Sequence, residues 1–231
     1  MRAILTYHSI DPSGSVISIS DEVFRRHVKW LARGGVKVVS VPDLVRLGDD
    51  VDAVALTFDD GFANFGEAAA GLLTDAGFTA TIFVVTDFVG GTNSWEFRSG
   101  ASVPLLPLMD WHQLARLQGA GLQDEIRGSG ERLASELGTH PEGFAYPFGE
   151  TSPAAVRGAS GVFAFACTTE FRLLSGTEDA HRLPRLDMYY FREPRRLESF
   201  GTAAFARYVA VRGRARRLRN SVSRALRKTD E

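Results

Sequence analysis

Short apolar runs suited to buried strands alternate with amphipathic helical stretches through most of this chain. Arg2–Thr6 is the first such run. Ser20 then reads as an N-cap, with Asp21 and Glu22 in the first turn. Phe24, Val28, Leu31 and Ala32 share one helical face, and Gly34-Gly35 stops the helix. Val36–Val41 has the β-branched content of a strand, and Ala53–Phe58 is a buried one. Asn64 caps the next helix, whose core face is Phe65, Ala68, Ala69, Leu72, Leu73 and Ala76; Gly77 ends it. Phe78–Val85 is another buried strand. Residues 86–109 make a loop long enough to suggest function. Asp110 caps a helix through Ala120, and a weaker helix lies within 124–137. Phe144–Pro147, Val162–Ala166 and Leu183–Met188 are later strands. Strands separated by helices pair in parallel, so the fold expected is α/β, a barrel or a doubly wound sheet.

Other classes fall away quickly. Hydrophobic residues at 44% and charged ones at 24% exclude a disordered or fibrous chain. Runs such as Ala53–Phe58 and Ala80–Val85 fall far short of the ~20 residues a membrane helix needs. Cys167 is alone, which excludes a disulfide scaffold. The opening residues MRAILTYHSID contain no signal-peptide h-region, giving the expectation of a cytoplasmic protein.

Charge is uneven. Residues 199–231 hold nine basic and two acidic residues, net +7, whereas residues 1–198 hold 18 basic and 26 acidic, net −8. The expected division is therefore a barrel domain over 1–198 and a basic helical tail over 199–231. Leu218, Val222 and Leu226 form an i, i+4, i+8 stripe flanked by arginines. That pattern suits an anionic membrane surface, with the protein peripheral at the inner membrane face. Nucleic acid is disfavoured, since the arginine-rich stretch after Tyr208 has no aromatic suited to stacking and no binding motif accompanies it. Docking of the stripe on the acidic body is the alternative.

The chemistry concentrates at Leu56-Thr57-Phe58-Asp59-Asp60-Gly61, where an apolar strand runs into two adjacent carboxylates and a glycine. In parallel α/β folds, sites assemble at the carboxyl ends of strands. Neighbouring strand residues point in different directions, so one carboxylate can bind a cation while the other handles a proton. A plain Asp-Gly turn is the competing reading.

Thr57-Phe58-Asp59-Asp60-Gly61 resembles the first motif of the polysaccharide deacetylase family (the NodB-homology domain, carbohydrate esterase family four). Ile4-Leu5-Thr6-Tyr7-His8 looks like that family's opening strand, and Thr79-Ala80-Thr81-Ile82-Phe83-Val84 like the strand after its first helix. Gly91-Thr92-Asn93-Ser94-Trp95 and Trp111-His112-Gln113-Leu114 resemble the approach to its second motif. Phe144-Ala145-Tyr146-Pro147-Phe148-Gly149 looks like the third motif, and Leu183-Pro184-Arg185-Leu186-Asp187 like a late barrel strand. The resemblance implies a distorted (β/α) barrel of the glycoside hydrolase/deacetylase type. It also implies metal-assisted removal of N-acetyl groups from a sugar or glycan. By position, Asp59 would be the general base and Asp60 would bind a zinc-like divalent metal; His8, which follows an apolar strand at the same end, is a candidate metal ligand or acid, with a histidine held by a backbone carbonyl as the competing reading. The Phe148 backbone N–H would stabilise the oxyanion, while Tyr146, Phe148 and Trp95 would contact substrate.

The chain departs from that pattern in two places. The family's second motif, His-Ser/Thr-x-x-His, supplies two metal ligands, yet Gly119–Ile126 contains no histidine. Only 22 residues separate Gly121 from Phe144, and most suit a helix, leaving Gly121–Gln123 as a strand stub. An incomplete barrel, one strand short, is expected. Ala145 also stands where many relatives carry an arginine that orients the base. Two readings follow: a deacetylase-like hydrolase of non-peptide carbon–nitrogen bonds with impaired metal binding, or an inactive descendant that binds glycan or protein.

Overall fold

The computed structural model describes residues 1–95, 103–119, 123–124 and 130–227. In chain order the elements are β1 (Arg2–Tyr7), β2 (Ser9–Ile10), β3 (Ser18–Ile19), α1 (Asp21–Leu31), β4 (Lys37–Val38), α2 (Val41–Arg46) and β5 (Ala53–Asp60). A π-helical turn (Gly66–Ala70) leads into α3 (Gly71–Asp75), followed by β6 (Thr81–Val84), α4 (Trp111–Gly119), β7 (Gln123–Asp124) and α5 (Gly130–Leu137). The remainder is β8 (Gly143–Ala145), α6 (Pro153–Ser160), β9 (Phe165–Cys167), β10 (Leu186–Asp187), α7 (Pro194–Glu198) and α8 (Ala203–Arg227).

β5 organises the sheet. Ala53 to Phe58 pair in parallel with Arg2 to Tyr7 of β1 along one edge. The other edge is shared, with Ala53–Val54 against β4 and Thr57–Asp60 against β6. β10 and β7 extend the two sides, giving the order β10-β1-β5-β6-β7. β8 and β9 form a separate parallel pair, tied to the chain before β10 by a bridge between Cys167 and Leu183. Among the described residues these strands do not close into a barrel. β7 pairs Gln123 and Asp124 with Thr81 and Ile82; the rest of the stretch where a stub is expected, Gly121 and Leu122 with residues 125–129, lies outside the described residues.

The sheet has two apolar faces, as strand alternation requires. Ala3, Leu5 and Tyr7 of β1 with Val54, Leu56 and Phe58 of β5 pack against the helices. Ile4, Ala53 and Ala55 face the interior with Phe83, Ala145, Cys167 and Leu183. On the helix side, Tyr7 stacks on Phe58 at 5.1 Å, and Phe58 meets Phe65 edge-on at 4.6 Å. α1 docks through Phe24, His27, Val28 and Leu31. The His27 Nε2–H donates to the Phe191 carbonyl at 3.1 Å, so Nδ1 of the neutral ring accepts from the Tyr7 hydroxyl at 3.3 Å.

Two local expectations change. The strand expected over Val36–Val41 stops at Val38, because the Ser40 hydroxyl accepts from the Asp43 N–H and caps α2 instead. Asn64 does not cap a helix: its side chain accepts from the Ile10 N–H and donates to Ser9 Oγ at 2.7 Å. Buried residues on either side of residue 198 pack in one cluster. Phe205 and Val209 of α8 are buried with Phe191 and Phe200, and Phe205 stacks on Phe191 at 5.6 Å.

Candidate functional site

Parallel register carries chemistry to one end of the sheet. Thr6 lies beside Thr57 on β5 and beside Asp187 on β10. Alternate positions share a face, so Thr6 and His8, Thr57 and Asp59, and Arg185 and Asp187 all belong to the interior side. There, at the carboxyl ends of the strands, a cleft is lined by Thr6, His8, Asp59, Thr169, Arg185, Asp187 and Arg216.

Asp59 and Arg185 dominate it. The Arg185 guanidinium donates to both carboxylate oxygens of Asp59, at 2.6 and 2.9 Å, in the bidentate geometry that suits these two groups. Arg185 Nε donates to the Thr168 carbonyl at 2.9 Å, and the guanidinium lies 5.4 Å from the Phe83 ring centre. Burial is the largest single influence and works against the charge of this arginine, but Asp59, Cys167 and Asp187 together outweigh it and the net shift of its pKa is upward. His8 Nε2 stands 3.7 Å from Asp59 Oδ2, beyond hydrogen-bond length.

The opposite wall comes from α8. Arg216 pairs with Asp187 Oδ2 at 3.4 Å, and its guanidinium lies 5.5 Å from the Phe171 ring and 5.4 Å from the Tyr190 ring. Asp187 also accepts from the Tyr189 N–H, which caps the short turn Met188–Phe191. At the rim, the Thr169 hydroxyl donates to the Phe148 carbonyl at 3.4 Å.

The expected site residues separate into those the cleft gathers and those it does not. Asp59 and His8 line it. Phe148 sits at its rim, 45% exposed and at φ 55°, a left-handed conformation uncommon for an aromatic residue. Asp60, one residue past Asp59, takes φ 71° and is not among the lining residues. Tyr146 is buried, donates its hydroxyl to the His181 carbonyl at 3.0 Å, and packs edge-on against Phe144. Trp95 packs edge-on against Phe88 at 5.1 Å, and neither aromatic lines the cleft.

Arg185, Asp187, Thr169 and Arg216 were not anticipated as site residues. The usable signal was Arg185-Leu186-Asp187, a charged pair at strand spacing beside apolar neighbours. Arg185, the residue just before β10, sets its guanidinium against the Asp59 carboxylate.

Among the described residues, no three His, Cys, Asp or Glu side chains come together to hold a metal ion. Both oxygens of Asp59 are taken by a guanidinium, and a second guanidinium faces the cleft. This donor set fits an anion or a polarised carbonyl oxygen better than a divalent cation.

Residues 48–161 match the polysaccharide deacetylase family model. YxkH of Bacillus subtilis, a curated protein that carries the polysaccharide deacetylase name, is 33% identical over 92 residues. That stretch is 38% of this chain and 33% of YxkH, so the match spans about a third of the curated relative. IcaB from Ammonifex degensii superposes with a TM-score of 0.65 at 22% identity, covering 82% of this chain and 94% of that one. The Streptococcus pyogenes deacetylase PplD, solved in complex with acetate, gives 0.64 at 19% identity over 80% of this chain and 91% of that one. At these identities the solved structures establish the fold: an α/β chain of the deacetylase barrel type, with parallel strands.

Proposed function

We propose, from the premise that residues 48–161 carry the polysaccharide deacetylase signature on that family's fold, that the cleft receives the acetamido group of an N-acetylated sugar and hydrolyses its carbon–nitrogen bond. The Asp59–Arg185 pair at the strand ends carries this reading. Arg185 donates to both carboxylate oxygens of Asp59 and so fixes the plane of that carboxylate in the cleft. In this scheme Asp59 is the general base that takes a proton from an incoming water.

The water oxygen bonds to the acetyl carbon, and the carbonyl electrons move onto its oxygen. In this scheme the Phe148 backbone N–H and the Arg216 guanidinium are the candidates to stabilise that oxyanion. Collapse breaks the carbon–nitrogen bond, and the departing amine takes a proton from His8. The products are acetate and an amino sugar. The family is generally metal-dependent. The described residues do not fit a metal centre, so no step is assigned to one.

That mismatch supports a second reading, a groove that binds N-acetylated glycan without turnover. Incubation with N-acetylglucosamine oligomers distinguishes them. Acetate release that Asp59→Asn abolishes supports the hydrolase. Oligomer-dependent NMR shifts at the cleft without acetate release support the binding module. Neither response, with or without added divalent metal, would overturn both.

A further inference from the structure

α8 has two faces, and the fold uses one. Phe205, Val209 and Gly213, at i, i+4, i+8, face the core. Gly213 permits the close approach, because a Cβ there would lie 2.4 Å from the Phe171 carbonyl oxygen. Arg212 and Arg216 flank this side, and each lies over aromatic rings of the body. The helix is thus fixed in rotation about its axis.

The other side is turned to solvent. Arg207, Val211, Arg214 and Leu218 fall at i, i+4, i+7, i+11, roughly opposite Val209, and all four are exposed. Val211 is 60% exposed and Leu218 69%, although each is a large apolar side chain. Exposed Ala204 and Ala215 lie along the same strip. In sequence, Val222 and Leu226 continue the four-residue spacing from Leu218. The whole helix carries eight arginines and no acidic residue.

We propose that this outer face of α8 is a docking surface for an anionic lipid bilayer, with the helix lying in the plane of the interface. Arginine flanks attract lipid phosphates, and the apolar strip between them enters the headgroup boundary. No described helix is long and apolar enough to cross a membrane, which leaves the in-plane orientation. Three other occupants fit less well. Nucleic acid rewards arginine but not Val211 and Leu218, and this strip has no aromatic residue on which bases stack. A second copy would set arginine against arginine. The chain's own acidic body already holds the opposite face.

Arg216 reaches the cleft from the inner side of the same helix. Docking would therefore hold the cleft about one helix diameter, ~10 Å, from the lipid headgroups. A glycan anchored in or near that membrane would lie within reach. The proposal is independent of whether the cleft turns substrate over.

Deleting the helix is the wrong test, since Phe205 and Val209 belong to the core. The informative variants are Leu218→Asp with Val211→Asp, and separately Arg207→Glu with Arg214→Glu, in the full chain. Their thermal melts should match the parent, because these side chains lie outside the core. Co-sedimentation with vesicles of equal phosphatidylcholine and phosphatidylglycerol should show binding that weakens with salt. Each double variant should lose on the order of tenfold or more, and pure phosphatidylcholine vesicles should bind weakly. Absence of binding, or binding that both variants retain, would overturn the proposal. Tighter binding to a duplex DNA oligomer than to the anionic vesicles, or a dimer abolished by Leu218→Asp with Val211→Asp, would replace it with the corresponding partner.

Discussion

Arg185 grips both oxygens of Asp59 across 126 residues of sequence, from the residue before β10 to the carboxyl end of β5. Both groups are largely removed from water, at 4% and 14% side-chain exposure. Removing one partner strands the other charge, which typically costs about 3–5 kcal/mol. Arg185→Met should lower stability by that order in urea unfolding, and the double variant with Asp59→Asn should recover much of the loss. A double variant no better than Arg185→Met alone would mean the pair is not coupled.

Burial lowers the pKa of His27 to about 4, with the Phe191 carbonyl opposing and Arg26 adding to the effect. The folded value lies below the ordinary 6.5, so the unfolded chain binds the proton more tightly. Stability should therefore be full above about pH 6.5 and fall as pH drops toward 4, by on the order of 3 kcal/mol. Urea melts across this window check the slope, and His27→Gln should flatten it.

Arg216 joins the cleft to α8, and its cation–π contacts with Phe171 and Tyr190 contribute about 1 kcal/mol. Arg216→Ala should weaken binding of N-acetylglucosamine oligomers with only a modest loss of stability. Arg207→Ala, on the outer face, should leave that binding unchanged. Titration calorimetry on the two variants separates the faces of the helix.

Gly149 has φ 70°, and a Cβ there would fall 2.1 Å from Thr169 Oγ1. Gly149→Ala combines a disfavoured backbone with a clash and should cost more than about 1 kcal/mol. A lowered melting temperature with altered Phe148 chemical shifts is expected. An unchanged melt would show that the loop relaxes freely.

The sheet was legible because its strands announce themselves locally. Ala53–Phe58 is an unbroken apolar run, and Asp59 at its end falls where strand ends gather. What sequence reading missed depended on distance. Nothing near Asp59 in sequence reveals that its guanidinium partner is Arg185, and nothing in the basic tail distinguishes Arg216 from its neighbours. Tyr146 looked like a groove wall, but its hydroxyl answers the His181 carbonyl, a partner 35 residues away.

The cleft draws its walls from β1, β5, β10 and α8, so its contributors range from Thr6 to Arg216. During synthesis on a ribosome, the opening strand waits until Arg185 and then Arg216 have emerged. Until then Asp59 has no guanidinium clamp, and α8 cannot cover Phe191. An excised fragment bounded by residues 48 and 161 would bear the recognisable sequence and lack His8, Thr169, Arg185, Asp187 and Arg216. Activity, if carried by this cleft, is therefore all-or-none along the growing chain.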